Sequence, residues 1–395
     1  MISIFRNKYF QQAELLVARS YYFLYMGSWG FVLPFMNLYF TSLGFSGKQV
    51  GFVTSTAAVV GLFAAPIVVN TVKRNPRART YLQLILTWGA IGYFLIGRQG
   101  TFLAIIVVII FQSLANSSLS SINDTMAISV ARETERGYGS IRVWGSVGWI
   151  LVVPISGWLI EHLGYQAGFN GVTIGWLSAA LILSLIGYRH FTNPNATNQA
   201  KPALRETVSQ ILSNRILLGF AIAILATGFL NNGVQQFENV FLSDLGASKQ
   251  LISFAGILSA IVELPFMLLS DKLLKKIGPH RMMMLALAMT LLQRSAVLIW
   301  PSIVTIMIVR FIGGIAFSFY TISYIGLISR YTKPAETGTV LALFTVTLAG
   351  LVNIVASPIA GAMYDIIGAR WLYACAATGY AIATASLWLT RPAEV

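Results

Sequence analysis

The sequence predicts an all-α membrane protein with twelve transmembrane helices in two pseudo-symmetric bundles of six. Apolar residues make up 56% of the 395 positions and charged residues only 10%, with a mean hydropathy of +0.72. A soluble domain carries about 25% charged residues, so a soluble fold of this length could not cover its surface. The apolar residues also form long blocks, and the two halves of the chain resemble each other.

The apolar blocks set the number of helices, because a membrane-spanning helix needs about 20 mostly apolar residues. The first block follows Arg6 and Lys8, but no small-residue cleavage site comes after it, so we predict a retained helix and no signal peptide. The twelve predicted helices cover roughly 13–40, 48–72, 79–97, 100–130, 140–161, 168–190, 215–243, 249–270, 281–299, 302–329, 337–363 and 370–390.

Lysines and arginines predict the orientation, because cytoplasmic loops of membrane proteins carry an excess of them. With a cytoplasmic N-terminus, 19 of the 27 fall in cytoplasmic connections. Only four fall in outer connections, namely Lys48, Arg98, Lys249 and Arg370. We therefore expect a multi-pass protein of the cell (inner) membrane with both termini in the cytoplasm. The net charge of +14 follows from this asymmetry and does not indicate a nucleic-acid partner.

A polar linker at 191–214 divides the chain into an N-terminal bundle at 1–190 and a C-terminal bundle at 215–395. The halves match at an offset of 204 residues, which places the fifth and eleventh helices in register. The matched positions are Pro154–Gly157 with Pro358–Gly361, Glu161 with Asp365, and Gly164 with Gly368. Two related halves around a central cavity are typical of alternating-access transporters.

Charged side chains at membrane depth are costly, so they indicate a cavity or a partner. Asp124 and Arg142 lie about nine residues on either side of a cytoplasmic turn at Glu133, so we expect an ion pair at matched depth. The pair could bind a polar solute by accepting and donating hydrogen bonds, or it could simply clamp two helices. Trp149 is two helical turns after Arg142, where an indole could pack on a sugar ring or an aromatic solute.

In the seventh helix, six of the nine residues at 231–239 are polar. Asn231 and Gln235 share one face and are expected to line a cavity. Glu238 and Asn239 lie further out, where the alternative is that the helix end emerges into water. Glu263 in the eighth helix is expected to pair with Arg294 in the ninth and to exchange a proton, or the pair is static. The sequence assigns no role to Arg19 or Arg310.

Several classes of function are excluded by their missing motifs. The chain has no nucleophile elbow, paired zinc-binding histidines or phosphate-binding loop, so we expect neither an enzyme nor an ATP-driven pump. The three histidines are scattered, and Cys375 is the single cysteine, so we expect no metal and no disulfide. No cofactor is expected beyond a proton as the coupling ion.

The stretch Tyr138–Trp149 reads YGSIRVWGSVGW. It resembles the connection between the fourth and fifth helices of the lactose permease group (oligosaccharide:proton symporters) of the major facilitator superfamily. It is also similar to the related phenylpropionate permease and nucleoside:proton symporter group. An acid 18 residues before Arg142 fits the same pattern, as do Gln235-Gln236-Phe237, Glu263 and Arg294. The resemblance covers nearly the whole chain.

The resemblance implies roles for individual residues. Asp124, Arg142 and Trp149 would contact the solute, whereas Glu263 and Arg294 would serve both solute binding and proton coupling. The tenth helix departs from the family pattern: it reads Arg310-Phe-Ile-Gly-Gly and lacks the histidine and glutamate that couple protons there. Glu263 or Asp124 would then carry the proton. Of the family's two cytoplasmic gate latches, the second is retained, as Asp271 with Arg281.

The sequence therefore predicts a secondary transporter, most simply a proton-coupled symporter of a small polar solute. Trp149 favours a sugar or glycoside, and the arginines at membrane depth would also suit an anion. A nucleoside or an aromatic acid fits the same resemblance. The alternatives are an exporter that exchanges sugars or drugs for protons, and a uniporter. The expected partners are the solute, protons and the lipid bilayer, and the expected state is a monomer.

Overall fold

The computed structural model describes residues 2–73, 75, 77–134, 137–191 and 204–392, and every regular element among them is helical. The helices are α1 Ile2–Trp29, α2 Met36–Ser42, α3 Gly47–Lys73, α4 Ala78–Ile96, α5 Phe102–Glu133, α6 Gly139–Leu163, α7 Tyr165–Ile182, α8 Leu204–Ser213, α9 Arg215–Leu230, α10 Asn232–Asp244, α11 Lys249–Ile277, α12 Pro279–Ile299, α13 Ile303–Tyr331, α14 Pro334–Ala342 and α15 Ala349–Leu389.

Nine helical stretches in the described part of the chain are long and apolar enough to cross a membrane. The last of them, Glu336–Leu389, has 54 residues and is long enough for two crossings. Its backbone leaves the helical conformation at Gly368, with φ 77° and ψ 167°. The predicted eleventh and twelfth helices are therefore the two arms of α15, of which the first is continued from α14 by a short π-helical segment. The all-α membrane fold class is confirmed.

The predicted linker at 191–214 is only partly described, because residues 192–203 lie outside the described ranges. Its second part forms the helix α8. Ile211 on α8 is only 6% exposed and belongs to a buried apolar cluster with Leu217 and Met283. The end of the linker is thus anchored by an apolar side chain.

The chain forms two compact units. Unit 1 comprises 1–39, 59–197 and 248–254, and unit 2 comprises 40–58, 198–247 and 255–395. In unit 1 the fully buried Trp176 packs against Tyr25, Trp29 and Tyr93. Gly89 makes room for it, since a Cβ there would overlap the indole ring.

The core of unit 2 is an aromatic and aliphatic cluster from α8, α9, α12, α13, α14 and α15 and from the π-helical segment. The ring of Phe220 contacts Tyr324 at a centroid distance of 5.0 Å and Phe344 at 5.3 Å. Leu387 in the last arm of α15 is fully buried in the same cluster. This packing holds α12, α13 and α15, three of the helices that carry the polar residues described below.

The backbone agrees with the repeat that the sequence predicts. Gly164 and Gly368 have nearly the same conformation, with φ of 81° and 77°, which favours glycine because other L-residues are strained there. Pro154 and Pro358 both lie inside a helix, as their matched positions require. The two segments therefore share their backbone features at these matched positions.

The repeated acids also act alike. The Asp365 carboxylate accepts hydrogen bonds from the backbone nitrogens of Gly47, at 2.6 Å, and Lys48, at 2.9 Å. The Glu161 carboxylate accepts one from the backbone nitrogen of Lys249, at 2.5 Å. Each acid thus satisfies free N–H groups at the start of another helix. Asp365 does so for the first residues of α3, which belong to unit 2, and Glu161 for the first residue of α11, which belongs to unit 1.

Close packing of small residues accompanies these bonds. A Cβ on Gly361 would overlap the backbone of Gly47, and one on Gly157 would lie 2.6 Å from the Cβ of Ser253. Small residues at such crossings let helix backbones approach closely, which is a main source of helix association in membranes.

We expect Gly361→Ala to destabilise the protein by about 1–3 kcal/mol, because the added Cβ overlaps the backbone of α3 and the helices must move apart. Thermal unfolding of the purified protein in detergent measures this. Gly338→Ala is the matched control, since a Cβ there meets nothing within 4 Å. Equal melting temperatures for the two variants would contradict the packing argument.

Candidate functional site

A cavity of about 560 Å³ lies within unit 2. Its volume falls in the range of small-molecule sites, roughly 300–1,000 Å³. Among the described residues, four charged side chains line it: Glu238, Glu263, Arg294 and Arg310. Amides and hydroxyls supply most of the remaining polar wall, including Asn231, Gln235, Gln293, Asn353, Tyr320 and Tyr380. The cavity therefore offers both charges and hydrogen bonds to a solute.

The break between α9 and α10 brings amide side chains to this cavity. Asn231 directly follows α9, is only 2% exposed and lines the cavity. Gln235, one turn later on α10, lines the cavity as well. The neighbouring Asn232 donates a hydrogen bond from Nδ2 to the Oδ1 of Asn353, at 2.9 Å. The predicted placement of Asn231 and Gln235 on a cavity wall is confirmed, while their binding of a solute stays a prediction.

Glu238 is held in the cavity wall by contacts from three other helices. Its Oε2 accepts a hydrogen bond from Nη2 of Arg310, at 3.0 Å, and its Oε1 accepts one from the hydroxyl of Tyr373, at 3.0 Å. Arg310 also donates to the Oδ1 of Asn239, at 2.6 Å. The Glu238 side chain is 14% exposed, so this part of α10 is packed within unit 2. The alternative that the helix end emerges into water does not hold for this residue.

Arg294 contacts Glu238, with 3.6 Å between Nη1 and Oε1. The structure thus gives Arg294 an ion pair with Glu238 that the sequence did not predict. The reason is topological: α10 presents its carboxylate between α12 and α13, a placement that the linear spacing of Glu263 and Arg294 does not reveal. Both glutamates line the cavity, and the predicted pairing of Arg294 with Glu263 stays a prediction.

Glu263 is positioned by a close approach of α11 and α13. A Cβ on Gly314 would overlap the carbonyl oxygen of Ser259 and would lie 2.9 Å from the backbone nitrogen of Glu263. The Oγ of Ser318 donates to the carbonyl oxygen of Glu263, at 3.1 Å. Because Gly314 has no side chain, the backbones of α13 and α11 come into close contact beside Glu263.

Asp124 belongs to unit 1 and has tyrosine partners. Its Oδ1 accepts hydrogen bonds from the hydroxyl of Tyr22 on α1, at 2.9 Å, and from that of Tyr138 just before α6, at 2.7 Å. The ion pairs of the described residues do not include Asp124 with Arg142, which corrects the expectation from matched depth. Because α1 contacts α5, which carries Asp124, as well as α6, a tyrosine from α1 reaches the carboxylate.

Three further residues of unit 1 were singled out by the sequence. Arg142 and Trp149 are half-buried on α6, and their contact with a solute stays a prediction. Arg19, which had no assigned role, donates from Nε to the carbonyl oxygen of Ser140, at 3.1 Å. This bond ties α1 to the first turn of α6.

The predicted gate latch lies only partly within the described residues. The side chain of Asp271 is outside them, and Arg281 is exposed at the start of α12. The role of this pair stays a prediction.

A second charged cluster, in unit 1, joins residues far apart in the chain. The carboxylate of Glu14 lies 2.5 Å from Nη2 of Arg189 and 3.2 Å from Nε2 of His190. The same arginine contacts Glu133, at 3.0 Å, and His190 also contacts the Oγ of Ser129, at 3.0 Å. The two carboxylates and the imidazole lie close enough to hold a metal ion, but Arg189 already binds both carboxylates.

Sequence reasoning missed the partnership of Glu238 with Arg310 and the whole cluster around Glu14. An arginine within an apolar block indicated that Arg310 must have a partner, but nothing in the sequence identified Glu238 as that partner. Glu14 and His190 are 176 positions apart, and no periodicity or spacing connects them.

Comparisons with known proteins agree with this architecture. Residues 15–375 match the family described as MFS_1 like. A maltose permease from Geobacillus stearothermophilus is 24% identical over 278 residues, or 69% of this chain and 68% of that protein. A probable 3-phenylpropionic acid transporter from Escherichia coli is 21% identical over 269 residues, 67% of this chain and 69% of that protein. Bacterial multidrug resistance proteins also match.

The crystal structure of a mutant of the nucleoside transporter NupG superposes with a TM-score of 0.81 at 19% identity, covering 96% of this chain and all of that one. The helical fold and the polar cavity define a membrane transporter. The chain belongs to the MFS_1 like family of the major facilitator superfamily, as the resemblance in the sequence predicts, and it is not an enzyme.

We expect Glu238→Gln to lower the stability of the protein by about 3 kcal/mol, since it removes the carboxylate that contacts two buried guanidinium groups. Thermal unfolding in detergent measures the change. Asp244→Asn on the same helix is the control, because Asp244 is exposed and accepts a hydrogen bond from Tyr364. An unchanged melting temperature for Glu238→Gln would contradict the assigned role.

Proposed function

We propose that this protein is a proton-coupled symporter that moves a small polar solute across the inner membrane by alternating access, with both termini in the cytoplasm. The resemblance favours a sugar or glycoside, with a nucleoside or an aromatic acid as alternatives. The observation that carries the proposal is the cavity of unit 2, where amides and charged groups converge within membrane-spanning helices.

Membrane-embedded charges support a transport role because they are costly to keep in hydrocarbon. Glu238 contacts two guanidinium groups, those of Arg294 and Arg310. Protonation of Glu238 would weaken both of these contacts, so Glu238 is a poor candidate for the proton carrier. Glu263 lines the same cavity, and the family resemblance implies a coupling role for it. We assign the proton to Glu263, which can then couple protonation to occupancy of the cavity.

Asp124 is the second candidate for proton and solute contact. Two tyrosine hydroxyls orient its carboxylate from α1 and from the turn before α6. A carboxylate oriented in this way can accept hydrogen bonds from a polar solute. Arg142 and Trp149 complete this proposed contact set, as the resemblance implies.

Export and uniport are the alternatives. Names of some relatives describe multidrug resistance, which favours keeping export as a second candidate. Reconstituted protein distinguishes the three modes. A symporter accumulates solute when the proton gradient points inward, an exporter in the same orientation expels it, and a uniporter shows no dependence on the gradient.

Glu263→Gln is expected to abolish accumulation driven by a proton gradient and to leave solute exchange at equal concentrations intact, because glutamine cannot release a proton. Accumulation and counterflow in proteoliposomes measure the two activities. Glu336→Gln, at the start of α14, provides a control with the same change of charge. Normal gradient-driven accumulation by Glu263→Gln would refute the assignment.

Asp124→Asn is expected to abolish uptake without loss of folding. Both tyrosines donate to Oδ1 of Asp124, and asparagine keeps that acceptor while it removes the charge. Uptake and the melting temperature are measured together on purified protein. Asp244→Asn again serves as the control, and unchanged uptake by Asp124→Asn would exclude a role in binding or coupling.

A further inference from the structure

The charged groups in the cavity of unit 2 are unequally satisfied. Glu238 accepts hydrogen bonds on both oxygens, from Arg310 and Tyr373. Arg294 is only 15% exposed, and its contact with Glu238, at 3.6 Å, is longer than a hydrogen bond. One carboxylate is thus shared by two guanidinium groups and is bonded to only one of them.

Unsatisfied donors lie beside this arginine. The Nε of Arg294 and the Nε2 of Gln293 are buried and find no acceptor among the described groups. Both residues line the cavity. The Oδ1 of Asn231, also on the wall, is a buried acceptor for which the described groups provide no donor. Leaving a buried polar group unbonded costs about 1–3 kcal/mol, and more when it is charged, so these atoms mark a place for a ligand.

We infer, on the basis of the proposed function, that the solute carries a single carboxylate that binds Arg294, with Gln293 beside it. A planar guanidinium binds a carboxylate through two parallel hydrogen bonds. The hydroxyl of a neutral solute could accept a bond from Nε but would not match the two parallel donors of the guanidinium group. The inference narrows the solute to organic acids, either rich in hydroxyl groups or aromatic.

The charge balance of the cavity links this anion to the proton. The charged residues described on its wall are two arginines and two glutamates, whose charges cancel when both acids are ionised. An anion alone would give the cavity one negative charge, which a low-dielectric site disfavours. An anion together with a proton on Glu263 keeps the sum at zero. The other titratable groups described at this site are the hydroxyls of Tyr320, Tyr373 and Tyr380, which are neutral.

Matched pairs of compounds test the inference on the full-length protein in detergent. The pairs are benzoate with benzamide, 3-phenylpropionate with its amide, and D-glucuronate with D-glucose, and binding is followed by thermal stabilisation and calorimetry. We expect an acid to bind and its neutral partner not to bind, and the pair that responds separates an aromatic from a hydroxyl-rich solute. Binding of the neutral compounds alone, or stabilisation by none of the acids, would overturn the inference.

Variants assign the binding to Arg294. Arg294→Gln should weaken acid binding roughly tenfold or more, as expected for loss of a charged hydrogen-bonding pair, and Arg294→Lys should retain part of it. Arg370→Gln is the matched control, since Arg370 is exposed and donates to the carbonyl oxygen of Leu298. Wild-type affinity in folded Arg294→Gln would overturn the inference.

Transport by the wild-type protein gives a readout that needs no variant. An acid that enters with one proton acidifies the liposome interior without a membrane current, whereas a neutral solute with a proton carries current. Current with glucose would overturn the anion inference and leave symport intact. Acid entry without internal acidification would refute proton coupling and leave the anion site intact.

Discussion

The arrangement of unit 2 depends on one electrostatic constraint, the burial of charge among membrane-spanning helices. A guanidinium in such a place must have a counter-charge, because hydrocarbon cannot solvate it. Glu238 supplies this charge to Arg310 and, at longer range, to Arg294. The contacts of Glu238 hold α10 against α12, α13 and α15. The cavity lies among these helices.

Packing of small residues is the second constraint, and it operates beside the charged and capping contacts. Lipid tails are as apolar as leucine, so helices associate through close contact and not through the hydrophobic effect. Gly314 lets α13 approach the backbone at Glu263, and Gly361 lets α15 approach α3. Gly314 therefore both allows two helices to pack closely and places a candidate proton carrier, Glu263, at the cavity.

Much of the architecture could be predicted from local patterns. Apolar blocks predicted the helices, and the repeat matched Gly164 with Gly368 and Glu161 with Asp365. In the structure the two glycines share a backbone conformation, and the two acids share a capping role. The partners of buried charges could not be predicted in this way. Depth along a helix can be counted from the sequence, but rotation about the helix axis cannot. Asp124 and Arg142 were matched in depth, yet the carboxylate is held by Tyr22 and Tyr138.

The sequence by itself determined the membrane class, the helical fold, the family resemblance and the polar residues that matter, because these follow from composition, periodicity and motifs along one chain. Only the tertiary structure decided which charges meet. It placed Glu238 between two arginines and left Arg294 with a buried donor that no described group accepts. The physical reason is that an ion pair depends on which helix faces come together, and that is settled by the packing of the whole unit.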